Sequence, residues 1–282
     1  MKLIISRKGF DSSAGGVPNP IFPDDGLLSL PIPDEHSPIR YGDIAHAGGT
    51  LGELVEALTN RTLLAHHGAH LDPDLRAEDL PRLPGWRPML GQHGAAQSHL
   101  QNQGVGPGDV FLFFTVFRRV MLNKGQYQWL PQSSPVHLLW GWLQVGEVLD
   151  LNSDTQVPAW AAYHPHCYRE AANNMLYMAT DKLTLHGQQT QWPGAGVFPY
   201  WRSSLQLTAP HSTKPSLWQL PHWFYPEAGK RPLTYHGNLQ RWQREQGYTL
   251  LQSVYRGQEF VLDLTEYPEG QQWVRKLISE NA

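Results

Sequence analysis

His70 and Asp72 stand one residue apart in HHGAHLDPD. That spacing opens a two-histidine, one-carboxylate ligand set, the arrangement that holds Fe(II) with positions left for other ligands. The second histidine must then come from far along the chain, and Tyr163-His164-Pro165-His166-Cys167 offers two. With Pro165 fixing the backbone between them, the imidazoles of His164 and His166 can reach one ligand if the segment is extended. They can equally point to opposite faces, because side chains alternate along a strand. Cys167 adds a soft sulfur donor. We take His70, Asp72, His164 and His166 as candidate catalytic residues, with His70, Asp72 and His164 as ligands of Fe(II) or another divalent metal. If no metal binds, one histidine serves as general base and Asp72 orients it. The structural alternative is that Asp72 and Asp74, flanking Pro73, cap a turn or helix, and that the histidines are buried and satisfied by carbonyls.

Other segments could hold a substrate. Arg7 and Lys8 precede a turn containing Gly9, Gly15 and Gly16, with hydroxyls at Ser12 and Ser13. Glycines let backbone amides approach a phosphate and the cations supply charge, although neither the P-loop nor the dinucleotide fingerprint is present. A tight strand-to-strand loop is the plainer reading. Arg118 and Arg119, with Lys124, Tyr127 and Trp129 after them, interleave charge with flat rings, which suits stacking a base while holding its phosphate. They could also be a solvated strand end over core rings. Gln92, His93 and Gln97 in GQHGAAQ could read base edges. The absence of a Gly-x-Ser-x-Gly elbow, a Cys-x-x-Cys pair and a His-Glu-x-x-His helix removes most hydrolase and zinc readings.

The elements that position these residues read mainly as strands. Of 282 residues, 40% are hydrophobic and only 17% charged, while 26 Gly and 23 Pro favour short strands and ordered loops over long helices. Lys2–Ser6, Leu27–Pro33, Val110–Val120 and His137–Leu149 are expected strands, the last two an antiparallel pair. NNMLYMA, GVFPYW, SLQLT and EFVLDL supply shorter ones. Thr50 and Glu53 suggest a capping box for a helix over Leu51–Leu58. GQHGAAQSHLQNQG reads as a helix closed by Gly104, HLDPDLRAEDLPRLPGWRP as loop, and QQWVRKLI as a closing helix. The expectation is one elaborated domain over residues 1–282, α+β and β-rich, with a curved or barrel-like, mostly antiparallel sheet and a few short helices.

A formal charge of −3 argues against coating nucleic acid by bulk electrostatics, so such a partner would be gripped locally. A single cysteine permits no internal disulfide and fits a reducing compartment. The first ten residues carry too short an apolar run for a signal peptide, and no segment approaches the roughly 18 apolar residues of a membrane span. The expectation is a cytoplasmic protein.

Several of these segments together resemble a known family. SRKGFDSSAGGVPNPI, HLDPDL, GQHGAAQSHLQNQGVGPGDVFLFFTVFR, YHPH, PGAGVF and RGQEFVLD, spread from Ser6 to Asp263, are similar to nucleotide modification associated domain three. The resemblance implies an enzyme or accessory protein of nucleic-acid base chemistry. It carries over Ser6, Arg7, Lys8, Asp11, His70, Asp72, Gln92, His164 and His166 as polar site positions. The chain departs from the family at Thr115-Val116, where Gly-Trp is expected. A narrower likeness, over about Gly104–Leu149, is to PUA-like domains of the EVE and ASCH groups, small barrels that bind RNA or modified bases. The candidate substrate-binding residues are thus Arg7, Lys8, Asp11, Ser12, Gln92 and Arg118, and the expected partner is a nucleotide or nucleic acid. Three functions compete: base or nucleotide modification, non-catalytic reading of modified nucleic acid, and metal chemistry on a peptide or small metabolite.

Overall fold

Nine strands form one mixed sheet in the computed structural model, which describes residues 1–255, 257 and 259–282. Arg256 and Gln258, part of the RGQEFVLD stretch, lie outside the described residues. The strands are β1 (Lys2–Arg7), β2 (Asn19–Ile21), β3 (Met89–Gln92), β4 (Val110–Asn123), β5 (Gln126–Trp129), β6 (Val136–Asp150), β7 (Met175–Ala179), β8 (Ala195–Val197) and β9 (Glu259–Asp263). Their order is β9-β1-β4-β6-β7-β3, with β2 and β5 pairing β4 and β8 pairing β6. The antiparallel β4–β6 pair is as expected. β1 and β2, however, run parallel to β4. The long connections from β1 and β2 to β4 make parallel pairing possible, where a hairpin would force the opposite sense.

The two ends of the order, β9 and β3, share no ladder, so the sheet is not closed into the barrel that the PUA-like likeness implied. Side chains bridge them instead: Gln92 Nε2 donates to Glu259 Oε1 at 2.5 Å.

Both faces of the sheet are covered, which explains the unbroken apolar run of β4. Leu3 and Ile5 of β1 join Leu112 and Phe114 of β4 in one cluster, while Ile4 joins Phe111, Phe113 and Phe117 in another. This alternation carries past the end of β1 and decides where the next two cations go.

Helix α1 (Leu51–Leu58) has the expected bounds, but the Thr50 side chain makes no cap bond, so the capping box does not form. Helix α2 (Gly94–Asn102) is followed by Gly104 at φ +61°, a left-handed stop. Helix α3 (Glu269–Asn281) closes the fold. Two expected strands are corrected. Leu27–Pro33 forms a ladder only at Ile32–Pro33, because the buried Asn19 side chain captures the Leu30 amide at 2.7 Å in place of a strand partner. SLQLT begins inside a 3-10 turn, Ser203–Leu205, and its Gln206 and Thr208 form only isolated bridges, to Leu138 and Trp218. No helix among the described residues is long and apolar enough to cross a membrane.

Candidate metal centre

His70 is placed by a two-residue antiparallel pairing, Ala69–His70 against Ile32–Pro33. That pairing brings in Asp34, one residue beyond Pro33, whose Oδ2 lies 2.8 Å from His70 Nδ1. Two tight turns follow, Leu71 N to Ala69 O and Asp72 N to His70 O, and they fold Asp72 back beside His70. Gly91 of β3 then fixes the Asp72 carboxylate by donating its amide to Oδ1 at 2.6 Å. The other histidines sit on a 3-10 helix, Pro165–Tyr168, that begins at Pro165 as a first-turn proline and has His164 as its N-cap.

The distant segments do meet. His70 Nε2 and His166 Nε2 each lie 3.8 Å from Asp72 Oδ2, and His164 Nε2 lies 3.4 Å from Asp72 Oδ1. His70, Asp72, His164 and His166 are all buried.

Hydrogen bonding sets which nitrogen of each ring keeps a lone pair. Asp34 is a carboxylate and can only accept, so His70 Nδ1 carries a proton, and the tautomer with that proton has its lone pair on Nε2. Asn174 donates its amide nitrogen to His166 O at 2.8 Å, leaving its oxygen to accept from His166 Nδ1 at 2.7 Å, so His166 Nε2 is bare as well. His164 is the reverse. Its Nδ1 accepts the His166 backbone amide at 3.3 Å, so the neutral ring carries its proton on Nε2, directed at Asp72. That contact is off-axis and electrostatic, since Nε2 makes no well-aligned hydrogen bond. Of the two histidines considered for the third ligand position, His166 is the one whose acceptor atom joins those of His70 and Asp72, all within 4.8 Å of one another. Cys167 stays apart, its thiol against Ala161 O and pushed up to about 11 by burial.

Lys8 supplies the local charge. Its Nζ donates to Asp72 Oδ2 at 3.2 Å and to Gly91 O at 3.3 Å. Burial alone would raise the Asp72 carboxyl, but Lys8, helped by the His164 contact, outweighs it and holds it well below the usual range. Burial pushes His166 down to about 3, so its ring is neutral at physiological pH. Asp34 is held low chiefly by the bond to His70, against burial, with Arg169 Nη2 at 2.8 Å helping.

The remaining candidates do not gather here. Arg7 faces the other side of the sheet, its guanidinium 5.6 Å from the Phe114 ring and donating to Tyr255 O at 3.1 Å. Asp11 Oδ1 accepts from Ser13 N, Ser13 Oγ and Ala14 N, capping its own turn. Ser12 Oγ is 3.3 Å from the Tyr255 hydroxyl. Arg118 donates to Leu130 O at 3.1 Å and Ser133 Oγ at 3.3 Å, with its guanidinium 5.9 Å from Trp129. Gln92 is spent on Glu259, whose carboxyl burial pushes up against the pull of Lys8, Ser6 and Gln92.

Four polar partners escaped the sequence reading: Asp34, Arg169, Asn174 and Glu259. Asp34 and Asn174 reach the centre only through strand pairing and the chain reversal before β7, which no local spacing encodes.

Beside Asp72 lies a small pocket of about 50 Å³ lined by Gly9, Leu71, Trp140 and Phe198. At the surface beyond the 3-10 helix lies an open, shallow groove lined by Asn152, Cys167, Tyr168, Arg169 and Glu170. Arg169 joins groove and centre, its Nη1 3.4 Å from Nε2 of the half-buried His93.

A family model described as nucleotide modification associated domain 3 matches residues 2–263. No curated protein matches the chain, and no solved structure does.

Proposed function

Because the chain belongs to the nucleotide modification associated domain 3 family, we propose that it is an enzyme modifying a nucleotide or nucleic-acid base at a divalent metal held by His70, Asp72 and His166. Fe(II) is the first choice, since neutral imidazoles and one carboxylate are its facial donor set. One observation carries the reading: three buried ligand atoms converge, and each ligand has its own outer partner, Asp34, Gly91 or Asn174. A metal bound there supplies a Lewis acid with open positions for substrate or oxygen. The chain's own residues do the rest. Asp34 and Asn174 hold the rings in the ligating tautomer, and His164 directs its proton at Asp72 Oδ1, so the metal would take the lone pair of Oδ2 that does not accept from Lys8. Lys8 keeps that carboxylate ionised. Arg169 and His93 meet an anionic group of the substrate, and the groove beside Tyr168 receives the nucleotide.

The test is elemental analysis after anaerobic loading with Fe(II), followed by nucleotide binding. About one metal per chain is expected, with loss in His70→Ala and in His166→Ala. Full occupancy in both variants overturns the ligand assignment. A wild-type protein that takes up no metal yet binds nucleotide is a reader, not an enzyme of this type. If the substrate is polymeric, binding weakens steeply with salt, in proportion to the phosphates contacted.

A further inference from the structure

Beyond the ligand contacts themselves, a phenol ties together the two ligand-bearing segments, 70–74 and 163–166. The Tyr163 hydroxyl donates to Asp74 Oδ2 and accepts from Arg82 Nη1 and, at 2.7 Å, from Trp86 Nε1. Arg82 grips Asp74 in a fork, Nη1 to Oδ2 at 2.8 Å and Nη2 to Oδ1 at 2.6 Å, and its guanidinium lies 4.3 Å from the Trp86 ring. Asp74 is fully buried. Its backbone exchanges two 2.9 Å hydrogen bonds with Met89, the first residue of β3, and the same strand supplies the Gly91 amide on Asp72. None of Asp74, Arg82, Tyr163 and Trp86 is among the converging ligand atoms.

Asp74 is two residues from Asp72, and Tyr163 is three from His166. Burial and the Asp74 charge both push the Tyr163 hydroxyl up, so it stays protonated and donates. Apolar packing could hold two loops together as firmly, but a bidentate ion pair with a shared phenol fixes their relative position, because each bond has a required direction. We infer that Tyr163 is a positioning residue, setting the separation of Asp72 and His166 by clamping Asp74 to the chain that enters the histidine turn. What that separation serves rests on the metal centre proposed above.

Tyr163→Phe removes the hydroxyl and little volume. Two readouts are taken, Co²⁺ affinity with its visible absorption, and the imidazole ¹⁵N signals of the metal-free protein. The expected result is a Co²⁺ affinity lowered by about ten-fold or more, a shifted visible band, and altered signals from His164 and His166. A merely structural tyrosine would lower the melting temperature alone. Unchanged imidazole signals with Co²⁺ affinity within about two-fold of wild type overturn the inference, whatever the melting temperature does. Trp86→Phe, which removes one donor from the same hydroxyl, should give a smaller change of the same kind and serves if Tyr163→Phe does not fold. If wild-type protein binds no Co²⁺ but the imidazole signals still move in the variant, the metal reading falls and the clamp stands.

Discussion

Histidines shielded from water lie on both faces of the sheet, and their hydrogen bonding differs. On the Arg7 face, His137 Nδ1 accepts from Trp218 Nε1 at 2.9 Å, while His236 bonds Thr234 O through Nδ1 and the Val254 amide and Ser253 through Nε2. Burial pushes His137 down to about 3 and His236 to about 4, as it pushes His166 to about 3. A depressed pKa therefore does not distinguish the two regions. The direction of the spare lone pair does. His236 uses both of its nitrogens on its own surroundings, whereas His70 and His166 each satisfy one and turn the other toward Asp72. The proposed metal centre differs from the other face by what its hydrogen bonds leave over.

The largest way to break this contrast is Asp72→Asn. It should abolish metal binding and leave the buried Lys8 ammonium without its carboxylate, at about 3–5 kcal/mol in urea unfolding. Lys8→Met in the same chain should recover most of the stability and none of the metal. Next is Asn174→Ala, which frees the His166 tautomer and should cost about 10–100-fold in metal affinity by competition with a chelator. Ser253→Ala, beside His236 on the other face, should cost none.

A finer comparison uses two glycines. A Cβ on Gly91 would sit 2.2 Å from His166 Cδ2, and one on Gly196 would sit 2.5 Å from the Trp142 ring. Both alanine variants should lose about 1–3 kcal/mol to overpacking, but only Gly91→Ala should also weaken metal binding. The last comparison is in pH. His137 and His236 bind protons less readily folded than unfolded, where histidine titrates near its ordinary 6.5. Their contribution to stability is complete above that value and is lost as pH falls from 6.5 to about 4 for His236 and about 3 for His137. His137→Gln should flatten that slope in pH-dependent unfolding and leave metal content at pH 7 unchanged.

Much of the scaffold could be read from local pattern. The apolar runs of β4 and β6 and the bounds of α1 follow from residue type alone. The parallel pairing of β1 could not, because a strand buried on both faces looks the same in either sense. At the centre, the His-x-Asp pair and the two downstream histidines were visible as residue types. The choice between His164 and His166 was not, since it depends on one backbone amide and on Asn174. Arg7 and Lys8, adjacent in sequence and expected to share a phosphate, part to opposite faces by strand alternation. The Asp11 turn shows the structural alternative prevailing there, while Asp72 escapes it because the Gly91 amide and Lys8 face it from other strands.

The most direct test is anomalous diffraction at the cobalt edge from crystals grown with Co²⁺. One peak is predicted, about 2.0–2.2 Å from His70 Nε2, His166 Nε2 and Asp72 Oδ2, with His164 outside the coordination sphere. A peak ligated by His164 in place of His166, or none near Asp72, would contradict the account.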